Sequence, residues 1–178
     1  MQYTLLDSDT ITAPNGATLR RIQYTDGTLG GYLESGRNLD PKSNAQVCGN
    51  AQVCGNAQVC GNAQVYGNAQ VYGNAWVSGD ARVSGNAQVS GNAWVSGDAQ
   101  VSAPEHCFTA GPLGSRAATL TVCRDSALGV SYTTGCFSGS REAFLTAVES
   151  THSNTPYGNA YTVAVMLADH IVPPYAGE

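Results

Sequence analysis

The chain predicts a parallel β-solenoid followed by a small α+β module, and three observations carry that expectation. Residues 44 to 103 are ten back-to-back copies of one six-residue unit, beginning Asn44-Ala45-Gln46-Val47-Cys48-Gly49 and ending Asp98-Ala99-Gln100-Val101-Ser102-Ala103. Ala holds the second position and Val the fourth in every copy, while the first is always Asn or Asp. A repeat this strict is the mark of a solenoid. The segments Asn74 to Ala81 and Asn92 to Ala99 are identical and eighteen residues apart, the length of three units. Beyond Ala103-Pro104 the period is lost, and ordinary strand and helix patterns take over.

Within the unit, alternation places Ala45 and Val47 on one face of a short strand and Gln46 and Cys48 on the other. Gly49-Asn50 is a turn pair, because both residues tolerate the left-handed backbone of a corner. Each unit is therefore a strand plus a corner with Ala and Val inward. This pattern resembles the left-handed parallel β-helix, in which three hexads make one triangular coil. At eighteen residues per coil, Trp76 stacks on Trp94 and Asp80 on Asp98, one strand spacing of ~4.8 Å apart. One wall then carries Gln58, Trp76 and Trp94; a second carries Gln52, Gln70 and Gln88; the third carries Gln46, Gln64, Arg82 and Gln100. Cys48, Cys54 and Cys60 fall on three different walls and cannot bond to one another within a chain.

Upstream, Gln2 to Leu6, Thr10 to Ala13 and Thr18 to Tyr24 read as short strands, with a hairpin signal at Pro14-Asn15-Gly16. Leu33 and Leu39 lie six residues apart and occupy the Val slot of two degenerate hexads, with Lys42-Ser43 as a two-residue insertion. The expected organisation is N-terminal capping strands over residues 1–29, the solenoid over 30–103 and the module over 104–178. In the module, His106 to Thr109, Ala117 to Arg124 and Leu128 to Phe137 read as three strands. Ser138 or Ser140 caps a helix reaching about His152, and Thr155-Pro156 starts a second. Tyr157, Tyr161, Ala164, Val165 and Ala168 recur at helical spacing.

Acidic residues outnumber basic ones by 13 to 8, a net charge of −5 that argues against generic nucleic-acid binding. The first residues lack the basic start and apolar run of a signal peptide, and Val163 to Ala168 is far too short to span a bilayer. The expectation is a cytoplasmic protein that no membrane holds, with its six cysteines reduced.

Gly111-Pro112-Leu113-Gly114-Ser115-Arg116 is the stretch most like a ligand loop. Its glycines allow backbone N–H groups to converge on an anion, and Arg116 can clamp it bidentately. Arg124, Arg141 and the Thr151-His152 pair are candidates to join it. The competing reading is an ordinary glycine-rich connection with a solvated arginine. Trp76 and Trp94 are candidates for a subunit interface or for a surface on which the module docks; otherwise they are a half-exposed stack that steadies its sheet. Asp80 and Asp98 read as solvated corners or a weak cation site beside Arg82.

The chain resembles hexapeptide-repeat β-helix proteins encoded by phages and prophages. The residues that carry this are Leu29 to Ser35 with Asn38-Leu39, the Asn-Ala-x-Val-x-Gly tract, and three pieces of the module: Gly111 to Arg116, Thr134-Gly135-Cys136-Phe137 and Thr151-His152. The resemblance implies a left-handed helix, and twelve hexads from Gly30 onward, at three per coil, make about four coils. Hexapeptide β-helices also include trimeric acyltransferases and one class of carbonic anhydrase, whose chemistry needs histidines on or beside the coils as base or zinc ligand. Residues 44 to 103 contain none, and have no loop insertion to build an acceptor pocket. The expectation is thus a non-enzymatic protein with no cofactor and no metal, forming a homo-oligomer. Its C-terminal module would bind a nucleotide-like anion or a host protein, and would be used against host defence. A structural virion or tail component and a hexapeptide-repeat acyltransferase are the alternatives.

Overall fold

A computed structural model describes residues 2–177. The chain divides into two compact units, Met1–Pro104 and Glu105–Glu178.

The first unit is a parallel solenoid of about four coils. Each regular hexad contributes one two-residue strand, from Gln46–Val47 to Gln100–Val101, and strands eighteen residues apart pair in register. The repeat dictates this arrangement. Ala and Val point inward and are essentially inaccessible along the whole tract. Burying each Val contributes roughly 1.5–3 kcal/mol. The corner glycines from Gly49 to Gly97 all sit at φ between 57 and 73°, which any side chain would strain. Backbone bonds tie each coil to the next, as from Gln46 N–H to Ala63 C=O and from Arg82 N–H to Ala99 C=O, at 2.9 and 2.8 Å.

The three walls are those the eighteen-residue register predicts. Gln58, Trp76 and Trp94 share one; Gln52, Gln70 and Gln88 a second; Gln46, Gln64, Arg82 and Gln100 the third. Leu33 pairs with Val53, and Leu39 bridges to Val59. Both offsets are twenty residues because Lys42 and Ser43 are accommodated in a turn closed on Asp40. The two degenerate hexads are therefore part of the solenoid. Asn38, wholly buried just before Leu39, ties this rung to the next: its amide donates to the Gly55 and Ala57 carbonyls and accepts from Ser35 N–H.

Strands β1 (Tyr3–Thr12), β2 (Thr18–Tyr24) and β3 (Leu29–Leu33) are antiparallel and extend the Gln52 wall. The two short strands expected before Pro14 are one strand with a bulge between Leu6 and Thr10. Asp7 and Asp9, which read as a break, are held to Arg20 and Arg21 of β2 at 2.7 and 2.6 Å, so the strand continues through them.

In the second unit, β14 (Cys107–Leu113), β15 (Ala118–Asp125), β16 (Gly129–Thr134) and β17 (Phe137–Ser140) form an antiparallel sheet in that order, followed by α1 (Arg141–His152) and α2 (Pro156–Ile171); β4 to β13 denote the ten repeat strands. Four strands stand where three were expected. Gly135, at φ 54°, turns the chain inside the run read as one strand. Ser140 caps α1 by accepting from Ala143 N–H, and Thr155 caps α2 by accepting from Gly158 N–H, with Pro156 in the first turn. The core joins Leu120, Val122 and Tyr132 of the sheet to Phe144, Val148, Tyr161, Val165 and Ala168 of the helices. Among the described residues no helix is long and apolar enough to cross a membrane.

Candidate functional site

The glycine-rich stretch is shorter as a loop than its composition suggests. Gly111, Pro112 and Leu113 belong to β14, where Leu113 pairs with Ala118 and packs against the core. Pro112, following a cis peptide bond, lies in the register shift of an edge strand, where no ladder N–H is required. The turn proper runs from Gly114 to Ala117, closed by Ala117 N–H on the Gly114 carbonyl. Gly114 is at φ 69°, and a Cβ there would lie 2.6 Å from the Tyr161 hydroxyl oxygen, so the turn rests directly on that ring.

This turn forms one side of a cleft of about 330 Å³ in the second unit. Ser115 and Arg116 come from the β14–β15 turn. Thr134, Gly135, Cys136 and Phe137 come from the β16–β17 turn, Thr151 and His152 from the end of α1, and Tyr161 from α2. The three module segments that stand out in the sequence thus meet at one place, although they lie far apart in the chain.

The floor is aromatic. Phe144 meets Phe137 and Tyr161 edge-on at centroid distances of 5.3 and 5.7 Å, and His152 stacks on Tyr161 at 5.8 Å. The imidazole is held by its place in the helix junction, where the His152 carbonyl accepts from the Thr155 N–H and hydroxyl. Arg116 makes no hydrogen bond or ion pair among the described residues, so its guanidinium is available at the rim. The buried Thr134 hydroxyl likewise has no partner. Such an orphan costs ~1–3 kcal/mol until water or a ligand meets it. Among the described residues no carboxylate lines the cleft. Chemically, it offers one permanently charged guanidinium, an imidazole, several hydroxyls and a π surface: the needs of a small anion carrying a flat group.

Two of the predicted arginines lie elsewhere. Arg124 sits near the far end of β15, its guanidinium 5.1 Å from the Tyr175 ring centroid and 2.9 Å from His106 Nε2. Arg141, at the start of α1, binds Asp169 of α2 through both Nε and Nη2, while the Tyr132 hydroxyl donates to the same carboxylate. This pairing holds the Asp169 carboxyl below the usual carboxylate range. Arg141 braces the two helices against the sheet; neither arginine lines the cleft. Thr134 and Tyr161 were not singled out as site residues, because nothing in a threonine beside a glycine, or in a core-facing tyrosine, marks a cleft.

On the solenoid, Trp76 and Trp94 are register neighbours with centroids 6.3 Å apart and ring planes tilted by 42°, and they remain 41% and 45% exposed. Asp80 accepts from the Asn62 side chain and so belongs to a corner ladder of amides. Cys107 and Cys123 face each other across β14 and β15, and burial pushes the Cys123 thiol pKa up.

The sequence model of the family described as YdcK beta solenoid repeat matches residues 45–61, 57–73, 63–79, 69–85 and 87–103. The similarity lies wholly within the regular tract and leaves the module outside it. No curated protein matches the chain.

Proposed function

We propose that the chain is a non-enzymatic binding protein of phage type, in which the solenoid is a scaffold and the module's cleft holds a small anion, a nucleotide-like molecule first among candidates. The observation that supports this reading is the convergence over an aromatic floor of Ser115, His152, and an Arg116 guanidinium and a Thr134 hydroxyl that have no partner among the described residues. A phosphate would lie against Arg116 and the Ser115 hydroxyl, while a base would stack on the rings beneath. The absence of histidine from residues 44 to 103 supports a scaffold over a hexapeptide-type transferase. On this reading the protein acts in a host cytoplasm by sequestering a nucleotide signal of host defence, as a homo-oligomer whose exposed Trp76–Trp94 wall is the contact between copies.

Isothermal titration of the full chain with cyclic and linear nucleotides tests the proposal. Binding that weakens at least tenfold in Arg116→Ala is the expected outcome. Absence of binding across the panel, or binding indifferent to Arg116→Ala, overturns it.

A further inference from the structure

The first unit carries a second concavity, independent of the module. The turn between β1 and β2 brings Pro14 and Asn15 over the outer face of the Gln52 wall, leaving a groove of about 700 Å³ along three successive coils. Ala13 and Leu19 of the hairpin are buried with Tyr32 and Cys54, so the overhang is packed onto the wall. The volume falls within the range of small-ligand sites, about 300–1,000 Å³.

The groove's chemistry is uniform. Gln52, Gln70 and Gln88 stand in register along its length, with Tyr72 beside them, and none of the described residues lining it bears a formal charge. The three glutamine amides and the Tyr72 hydroxyl make no hydrogen bond among the described residues. The adjoining corner asparagines differ: Asn56 donates to Asn74, and Asn74 to Asn92, at 3.1 and 3.0 Å. One set of amides is therefore committed to the fold and the other is open.

We infer that this groove is a binding site for a neutral oligosaccharide. A primary amide presents an acceptor oxygen next to two donor hydrogens, a pair that matches two adjacent hydroxyls. The Gln52, Gln70 and Gln88 amides repeat this pair at one strand spacing, and the half-exposed Tyr72 ring offers a flat surface for the C–H face of a sugar ring. The uncharged lining disfavours an ionic ligand, since a desolvated charge needs a partner. An extended peptide is a poorer fit, because it is captured through a free strand edge or apolar anchor pockets. Here the groove lies across a sheet face rather than along a strand edge.

Saturation-transfer NMR and titration of the full chain with maltotriose, cellotriose, mannotriose and galactotriose test the site, with an oligogalacturonate and a Gly-Ser peptide as counter-probes. At least one neutral trisaccharide binds on this inference. Gln70→Ala and Tyr72→Ala each weaken it about tenfold, Gln70→Glu does so at unchanged side-chain length, and Arg116→Ala has no effect. Thermal midpoints within a few degrees of wild type show that the variants remain folded. No binding of any neutral probe at millimolar concentration overturns the inference. So does preference for the acidic or peptide probe, or binding that Gln70→Ala, Gln70→Glu and Tyr72→Ala leave unchanged.

Discussion

Val65 in the solenoid lies between Val47 and Val83 in adjacent coils, and its surroundings differ little from those of any other valine in the tract. Phe144 in the module touches Tyr132, Phe137 and Tyr161, which come from β16, β17 and α2. The solenoid core is thus built from equivalent, near-neighbour contacts, whereas the module core hangs on a few side chains that join distant segments. The difference teaches where specificity can reside. A repeated environment makes a regular surface, and an aperiodic one can gather unlike groups into a cleft.

The sharpest way to break this contrast is Phe144→Ala, which removes the ring on which three others rest. It is expected to cost ~3–5 kcal/mol and to disturb the Arg116 cleft with it, read by urea unfolding followed by circular dichroism. Val65→Ala removes two methyl groups from one coil and is expected to cost about 2 kcal/mol. Both tryptophans lie in the solenoid, so tryptophan fluorescence reports that change selectively. If Val65→Ala proves as damaging as Phe144→Ala, the solenoid core is not the distributed structure described.

Asn74→Ala removes two exposed side-chain hydrogen bonds of one corner ladder and is expected to cost ~1 kcal/mol, about half that for each bond. The smallest effect concerns the Arg141–Asp169 brace. Because the folded carboxyl titrates below its unfolded value, the brace stabilises fully above the unfolded value and loses its contribution as pH falls through the folded one. Asp169 is largely solvent-screened, which holds the contribution to about 1 kcal/mol or less. The stability difference between wild type and Arg141→Gln should therefore stay constant above about pH 5 and shrink below about pH 4. A difference unchanged at pH 3 would show that the pair does not act through charge.

Much of the solenoid was legible because a strict period converts residue number into position. The three walls, the Trp76–Trp94 register pairing and the two irregular rungs at Leu33 and Leu39 all follow from counting. The module yields to such reading only element by element. Both helices and their caps at Ser140 and Thr155 were readable from local chemistry, yet the turn at Gly135 was not, since Thr134-Gly135 lacks the Asn-Gly or Asp-Gly signal of a tight hairpin. Ser115, Arg116 and His152 were named as candidates, and they do share a cleft. Arg124 and Arg141 were named by charge alone, and tertiary packing directs them to Tyr175 and Asp169. Spacing along a chain says nothing about which loops an aperiodic fold brings together.

The corner ladders have a direction. The corner asparagines from Asn44 to Asn74 pass a hydrogen bond toward the next coil, as from Asn44 to Asn62 and from Asn62 to Asp80. An amide both receives and gives, but a carboxylate only receives. Asp80 is therefore a terminus for this relay, and the stacked side chains form a one-way file with its hydrogen ends turned toward negative charge, as at the start of an α-helix. An aspartate at Asn74 would keep the bond accepted from Asn56 and lose the one given to Asn92. The choice between two nearly isosteric residues thus marks the lengthwise polarity of an otherwise repetitive rod.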